Sequence, residues 1–170
     1  MAYLIPIIET LAKRIIPRIR ALILLPTKDL VIQVKRECDH FVKGTGLKVL
    51  TLSGQSSFSH EQGCLLGEFG ECLVDILIAT PGRLVDHLQY TQGFNVTHLR
   101  YLVLDEADRL MNQSYSEWLP ELLHHISATP QPQNSTEIIP VPPVSRPFQK
   151  LLFSGIVFHC ASFSHAHTES

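Results

Sequence analysis

Four short apolar runs, Ala21–Leu25, Val49–Leu52, Ile76–Ala79 and Tyr101–Leu104, constrain the fold of this chain more than any other feature. Each is too short for a buried helix and rich in branched aliphatic side chains, so each predicts a buried strand. Between them lie stretches with helical character, near residues 28–43, 56–69, 82–90 and 116–127. Strands separated by helices pair in parallel, because a parallel neighbour needs a crossover and a helix supplies it. The expected class is therefore α/β, a parallel sheet with helices on both faces. Ahead of the first run, Leu4, Ile5, Ile8, Leu11, Ala12, Ile15 and Ile16 recur at helical spacing and predict one amphipathic helix ending at Pro17. A further short strand is expected at Lys150–Phe153.

Two stretches argue against regular structure. Residues 130–147 carry six of the eleven prolines among Gln, Ser and Thr, and predict a loop. Residues 155–170 are rich in His and Ser without periodicity and predict a fraying tail. The domain is thus expected to occupy residues 1–154. At 170 residues there is room for one domain with a real core but not for two, and 45% hydrophobic with 18% charged residues fits a globular protein.

The net charge of −2 hides an asymmetry. Residues 1–50 hold nine Lys and Arg against four Asp and Glu, and the remainder five against twelve, which points weakly to an anionic partner for the first part. Lys13, Arg14, Arg18, Arg20, Lys28, Lys35 and Arg36 are mostly expected on solvated helix faces. The four cysteines show neither a C-x-x-C pair nor zinc spacing, so no disulfide framework or metal finger is indicated. His159, Cys160, His165 and His167 fit no common metal site. No apolar run approaches the roughly 20 residues of a membrane span. Met1 to Arg20 is apolar first and basic afterwards, the reverse of a secretory signal. A domain helix is the better reading there than a transit peptide.

Chemistry concentrates at the carboxyl ends of the expected strands, where ligands bind in open α/β sheets. The fourth strand ends in Asp105-Glu106-Ala107-Asp108. An Asp in that position can hold Mg²⁺ through water, and a neighbouring Glu can orient the water that attacks a γ-phosphate. An acid-rich helix start favoured by the helix dipole is the alternative. The first strand runs into Pro26-Thr27-Lys28-Asp29-Leu30 and the third into Thr80-Pro81-Gly82-Arg83. Both set small or hydroxyl residues and backbone N–H groups at helix N-termini, the usual grip on phosphate. The second ends in Ser53-Gly54-Gln55, where glycine lets a nucleic-acid backbone come close. Any one of these reads as an ordinary capped turn; four in this order do not.

Together they resemble the first RecA-like domain of DEAD-box ATP-dependent RNA helicases. Pro26–Leu30 is similar to the family's P-T-R-E-L, Ser53–Gln55 stands where many members have Gly-Gly, and Thr80–Arg83 and Asp105–Asp108 match unchanged. The likeness spans about residues 2–154. It implies a RecA-like sheet and catalytic roles for Asp105, Glu106 and Asp108, with Asp105 reaching Mg²⁺ through water once nucleotide is bound. It implies RNA-backbone contacts from Pro26, Thr27, Lys28, Gly54, Thr80, Pro81, Gly82 and Arg83, blind to base sequence, with no membrane and no DNA expected. The wording around the motifs, including Ser116-Glu-Trp-Leu-Pro120, is most similar to nucleolar members that assist large ribosomal subunit assembly. That likeness implies pre-ribosomal protein partners and a nuclear or nucleolar location.

The resemblance also has gaps. The family's G-x-G-K-T phosphate loop precedes the segment that here reads Met1-Ala-Tyr-Leu-Ile-Pro6, and it is absent from these residues. At Ser154-Gly155-Ile156 the family continues Ser-Ala-Thr, so only Ser154 remains of the motif that couples hydrolysis to strand separation. The literal Ser127-Ala128-Thr129 falls at the end of a helical stretch and is a coincidence. The expectation is an incomplete RecA-like sheet, without the phosphate-loop strand and the last strand, that binds RNA weakly and does not turn over ATP by itself. The alternative is a non-catalytic product that keeps an RNA-binding or partner-binding surface.

Overall fold

A computed structural model describes residues 2–112, 118–127 and 149–153. The loop at 130–147, Ser154 and the tail at 155–170 lie outside the described residues. Five strands form one parallel sheet: β1 (Ala21–Leu24), β2 (Val49–Leu52), β3 (Ile76–Ala79), β4 (Tyr101–Asp105) and β5 (Gln149–Phe153). Their order across the sheet is β2-β3-β1-β4-β5. Six helices accompany them among the described residues: α1 (Leu4–Leu11), α2 (Lys28–Phe41), α3 (Phe58–Leu65), α4 (Pro81–Tyr90), α5 (Ala107–Asn112) and α6 (Trp118–Ser127).

The sheet sorts side chains by parity, as successive residues of a strand face opposite sides. Leu22, Leu24, Leu77, Ala79, Leu102 and Leu104 face a core closed by Leu65 of α3, Leu84 and Leu88 of α4, Leu110 of α5, and Trp118 and Leu122 of α6. Ala21, Ile23, Ile76, Ile78 and Val103 face the other core, closed by Leu4, Ile7 and Leu11 of α1 and Val31, Val34 and Cys38 of α2. Every residue of β1 and β3 is buried, as expected of strands covered on both faces. Burial pushes the Cys38 thiol up to about 12, so it packs there as a small apolar group.

The first helix departs from expectation. α1 stops at Leu11 rather than at Pro17, leaving Ile15 93% and Ile16 56% exposed. Two constraints end it. Proline disfavours helical backbone at the residue before it, here Ile16. Arg14 meanwhile turns inward, its Nε bonding Asp75 Oδ1 and its Nη2 bonding Gly46 O at 2.6 Å. Asp75 is wholly buried at the entry to β3. Its Oδ2 accepts from Lys48 N at 2.9 Å, and its carbonyl accepts from Arg20 N at 3.0 Å and Ala21 N at 3.3 Å. One residue thus ties the starts of β1, β2 and β3 together. The helix at 28–43 ends two residues early, α3 is shorter than the 56–69 expected, and α5 was not anticipated as a separate element.

The expected gap for a missing strand is not inside the sheet. The five strands pair without interruption, and among the described residues β2 pairs only with β3 and β5 only with β4, so the open positions are the two outer edges, that of β2 and that of β5. Leu152 and Phe153 of β5 are exposed, at 60% and 37%.

Removing one partner of a buried ion pair strands the other without compensation. Asp75→Ala should therefore lower stability by about 3 kcal/mol, read as a shift in the urea midpoint. A change below about 0.5 kcal/mol would mean that Asp75 does not organise the strand starts.

Candidate functional site

The parallel register brings the strand ends level. Leu52, Ala79, Leu24 and Leu104 are partners across four adjacent strands, so Ser53, Thr80, Leu25 and Asp105 follow on one edge. Leu25 N bonds Ala79 O at 3.0 Å, and Thr80 N bonds Leu52 O at 3.0 Å. With neighbouring strands about 4.8 Å apart, the row from Gly54 to Asp105 spans roughly 15 Å. The structure therefore collects Pro26, Thr27, Lys28, Gly54, Thr80, Pro81, Gly82, Arg83, Asp105, Glu106 and Asp108 on one side of the sheet. They stand in the order β2 loop, β3 loop, β1 loop, β4 end.

Local chemistry fixes each turn. Thr27 is the N-cap of α2, its hydroxyl accepting from Leu30 N at 3.4 Å. Thr80 holds the same position on α4 without a side-chain cap bond, and Pro81 occupies the first helical turn, where its missing N–H costs nothing. Gly54 has φ +72°, a left-handed conformation that glycine adopts freely. A Cβ there would lie 3.7 Å from Lys28 Nζ, so an exposed ammonium from the β1 loop stands over the β2 loop.

Beneath these loops lies a network that sequence reasoning did not find. Glu61 of α3 is 3% exposed. Its Oε1 accepts from Gly54 N at 3.3 Å, and its Oε2 accepts from Arg83 Nε at 2.6 Å and contacts His87 Nε2 at 2.9 Å. Arg83 also donates to Ser56 O at 3.4 Å and lies 4.9 Å over the Phe58 ring. Phe58 stacks on His87 at 4.3 Å. His87 is fully buried, and its Nδ1 meets Thr91 Oγ1 at 2.8 Å. Arg83, expected at the RNA backbone, is thus turned largely inward, its side chain 20% exposed. No residue spacing announces this arrangement, because Glu61 is 22 residues from Arg83 and 26 from His87.

At β4 the chain turns sharply. Glu106 has φ 52°, and among the described residues no other non-glycine has a positive φ. Such a conformation costs on the order of 1–2 kcal/mol, and its presence on a short acidic strand end fits a functional constraint. Glu106 N donates to Asp105 Oδ1 at 3.0 Å, and Arg109 Nη1 donates to Glu106 Oε2 at 2.8 Å. The other oxygen, Asp105 Oδ2, accepts from the Tyr3 hydroxyl at 2.8 Å, across 102 residues. Tyr3 is buried, and its ring meets that of Phe153 at 4.8 Å. Burial, and then the bond to Asp105, raise the Tyr3 pKa far above its ordinary value, so the phenol stays a donor. Ala2, Tyr3, Leu25, Leu30, Gln33, Asp105, Glu106 and Phe153 line a cleft of about 430 Å³.

The sequence profile of the DEAD/DEAH box helicases matches residues 1–155, and the chain belongs to that family. Among its curated relatives, the ATP-dependent RNA helicase dbp6 of Schizosaccharomyces pombe is 41% identical over 139 residues, covering 82% of this chain and 23% of that protein. The ATP-dependent RNA helicase DDX51 of Danio rerio is 38% identical over 168 residues, covering 91% of this chain and 26% of that protein. The chain thus spans about a quarter of the length of these relatives. Among solved structures, the yeast DEAD-box splicing factor Prp28 superposes with a TM-score of 0.70 at 27% identity, over 92% of this chain and 34% of that one. A DEAD box protein from Methanococcus jannaschii shares the fold, with a TM-score of 0.65 over 92% of this chain and 36% of that one, at 24% identity.

Two measurements check the site's internal bonds. Tyr3→Phe should cost about 1–2 kcal/mol in urea unfolding, the worth of a part-buried hydrogen bond to a carboxylate; no change would mean the bond does not form. Burial holds His87 below its ordinary pKa of 6.5, against the opposing pull of Glu61. As pH falls below about 6.5 the unfolded chain takes up that proton before the folded chain does, so stability must fall with pH in that window. The melting temperature should drop more steeply between pH 6.5 and 5 in the wild type than in His87→Gln, and equal slopes would refute this assignment.

Proposed function

We propose that these residues are the RNA-facing part of the first RecA-like domain of an ATP-dependent RNA helicase, with ATP and Mg²⁺ as cofactors of the whole protein. The observation that carries the reading is the level row of strand ends, with the backbone-gripping turns on three adjacent strands and the strained acidic pair on the fourth. In this reading Thr27, Lys28, Gly54, Thr80 and Gly82 meet successive phosphates through hydroxyl, ammonium and backbone N–H groups, which read no base sequence. Asp105 and Glu106 carry the metal and hydrolysis roles, and Asp108 supports them from the first turn of α5. Ser154 is assigned to the motif that couples the two activities. The likeness of the wording around the motifs to nucleolar members that assist large ribosomal subunit assembly supports work on ribosomal precursor RNA with pre-ribosomal proteins, in the nucleolus. Among the described residues no helix is long and apolar enough to cross a membrane.

The described residues fit an ATP–Mg²⁺ complex only on its metal side. The cleft beside Asp105 is lined by two carboxylates and by no Lys or Arg, so nothing there compensates the charge of a triphosphate. The same observation favours a second reading, in which the 170 residues act as an RNA-binding piece without turnover.

Titration of the chain with unrelated fluorescent single-stranded RNAs should give weak, similar affinities that fall with salt by a log–log slope of about −0.7 per phosphate contacted. Absence of binding, or tight binding to one sequence only, would refute the RNA assignment. Calorimetry should detect no ATP binding by the chain. A version extended by the family's phosphate loop and second domain should hydrolyse ATP when RNA is added and lose at least about a hundredfold in rate on Glu106→Gln. Turnover by the unextended chain would overturn the assignment of the site.

A further inference from the structure

Glu61 carries a charge in a place where charge is costly. A carboxylate at 3% exposure persists only when its oxygens are paired. Both are. What they pair with is informative: Oε1 holds the N–H of Gly54, in the loop after β2, and Oε2 holds Arg83, in the first turn after β3. Two loops that share no covalent neighbour are therefore referred to one side chain on α3. His87 completes the lock from below. Its Nε2–H donates to Oε2 while Nδ1 accepts from Thr91, which fixes the tautomer and the direction in which Glu61 points. Phe58 packs against both, its ring 4.9 Å from the Arg83 guanidinium and stacked at 4.3 Å on the His87 ring.

We propose that Glu61 is the positioning residue of the RNA site, setting the spacing between the loop at Ser53–Gly54 and the loop at Thr80–Arg83. The inference rests on the RNA-binding reading above. Glu61 does not touch RNA in this account, since a buried carboxylate would repel a phosphate. It acts through Gly54 and Arg83. Successive phosphates of one strand are held at a fixed repeat, and two loops free to move apart would lose that repeat before they lost any contact group. Arg83 serves from the inside: its charge is spent on Glu61, and its exposed remainder and the Gly82 N–H face outward from a turn that cannot drift.

The competing account is that Glu61 only neutralises Arg83 and so weakens RNA binding. The two accounts predict opposite signs. RNA affinity is measured by fluorescence titration of the 170-residue chain with unrelated single strands, alongside Gly54 N–H exchange. If Glu61 positions the loops, Glu61→Ala weakens RNA binding about tenfold and speeds Gly54 exchange about tenfold or more. Leu122→Ala, a core truncation on α6, destabilises comparably yet keeps affinity within about twofold. Unchanged or tighter binding by folded Glu61→Ala overturns the proposal. Should Glu61→Ala not fold, Glu61→Gln decides, because one amide oxygen can hold one loop but not both. Binding about threefold weaker supports the proposal, and binding as tight as wild type or tighter overturns it. A wild-type chain that binds no RNA at all sinks the RNA reading itself, an outcome distinct from wild-type binding that ignores Glu61.

Discussion

The register of β1 against its two neighbours is the constraint on which everything else depends. β1 is hydrogen-bonded on both sides, to β3 and to β4, and Leu24 stands level with Ala79 and Leu104. Because side chains alternate faces, a slip of one residue would move Leu22 and Leu24 out of the core closed by α4 and α6 and into the one closed by α1 and α2. Both cores are full of large aliphatic groups, so the register is over-determined. Level strand ends are the functional consequence: the turns after β2, β3 and β1 and the acid pair after β4 cannot be displaced relative to one another without breaking the core.

Each end of β3 is anchored by one buried carboxylate. Asp75 stands just before the strand and gathers Arg14, Lys48 N–H and, through its carbonyl, the start of β1. Glu61 sits beyond the other end and gathers the loops after β2 and β3. The two solve the same problem. Where a strand stops, the ladder stops, and backbone groups of adjacent chains lose their common reference. A charged acceptor with several donors restores that reference at points where apolar packing gives no direction. Among the described residues no buried side-chain nitrogen or oxygen is left without a partner, which is the condition under which such networks stabilise rather than disrupt.

What was legible in the sequence was what is local. The runs at Ala21, Val49, Ile76 and Tyr101 declare strands by their own composition, and Thr27, Gly54 and Pro81 declare turns by their backbone preferences. The motifs could be placed on strand ends for the same reason. What was not legible depends on distant partners. Tyr3 meets Asp105 over 102 residues, and Arg14 meets Asp75 over 61. Nothing near Tyr3 hints at a carboxylate, and the helical spacing that carried α1 on to Ile16 could not register that Arg14 is needed elsewhere. Nothing near Glu61 marks it out, since α3 has a glycine in its midst and little amphipathic pattern. Arg83 could be recognised as important, but its inward direction belongs to Glu61.

The outer edge of β5 and the acids at the end of β4 lie together, and this joins the fold to the chemistry. β5 has a hydrogen-bonded side against β4 and an outer side with no strand among the described residues. Phe153, at its end, packs on Tyr3, which in turn holds Asp105. A segment that paired with β5 in parallel would end beside Phe153, next to a cleft whose polar lining includes two carboxylates and no cation. Negative charge gathered at a strand end is stabilised by donors presented on the adjoining strand end or the helix that follows it. Of the two outer edges left among the described residues, that of β5 is the one beside Asp105 and Glu106. The Tyr3 hydroxyl and the Glu106 N–H are the donors to the Asp105 carboxylate. Any ligand that draws on Asp105 Oδ2 shares that oxygen with the phenol or displaces it.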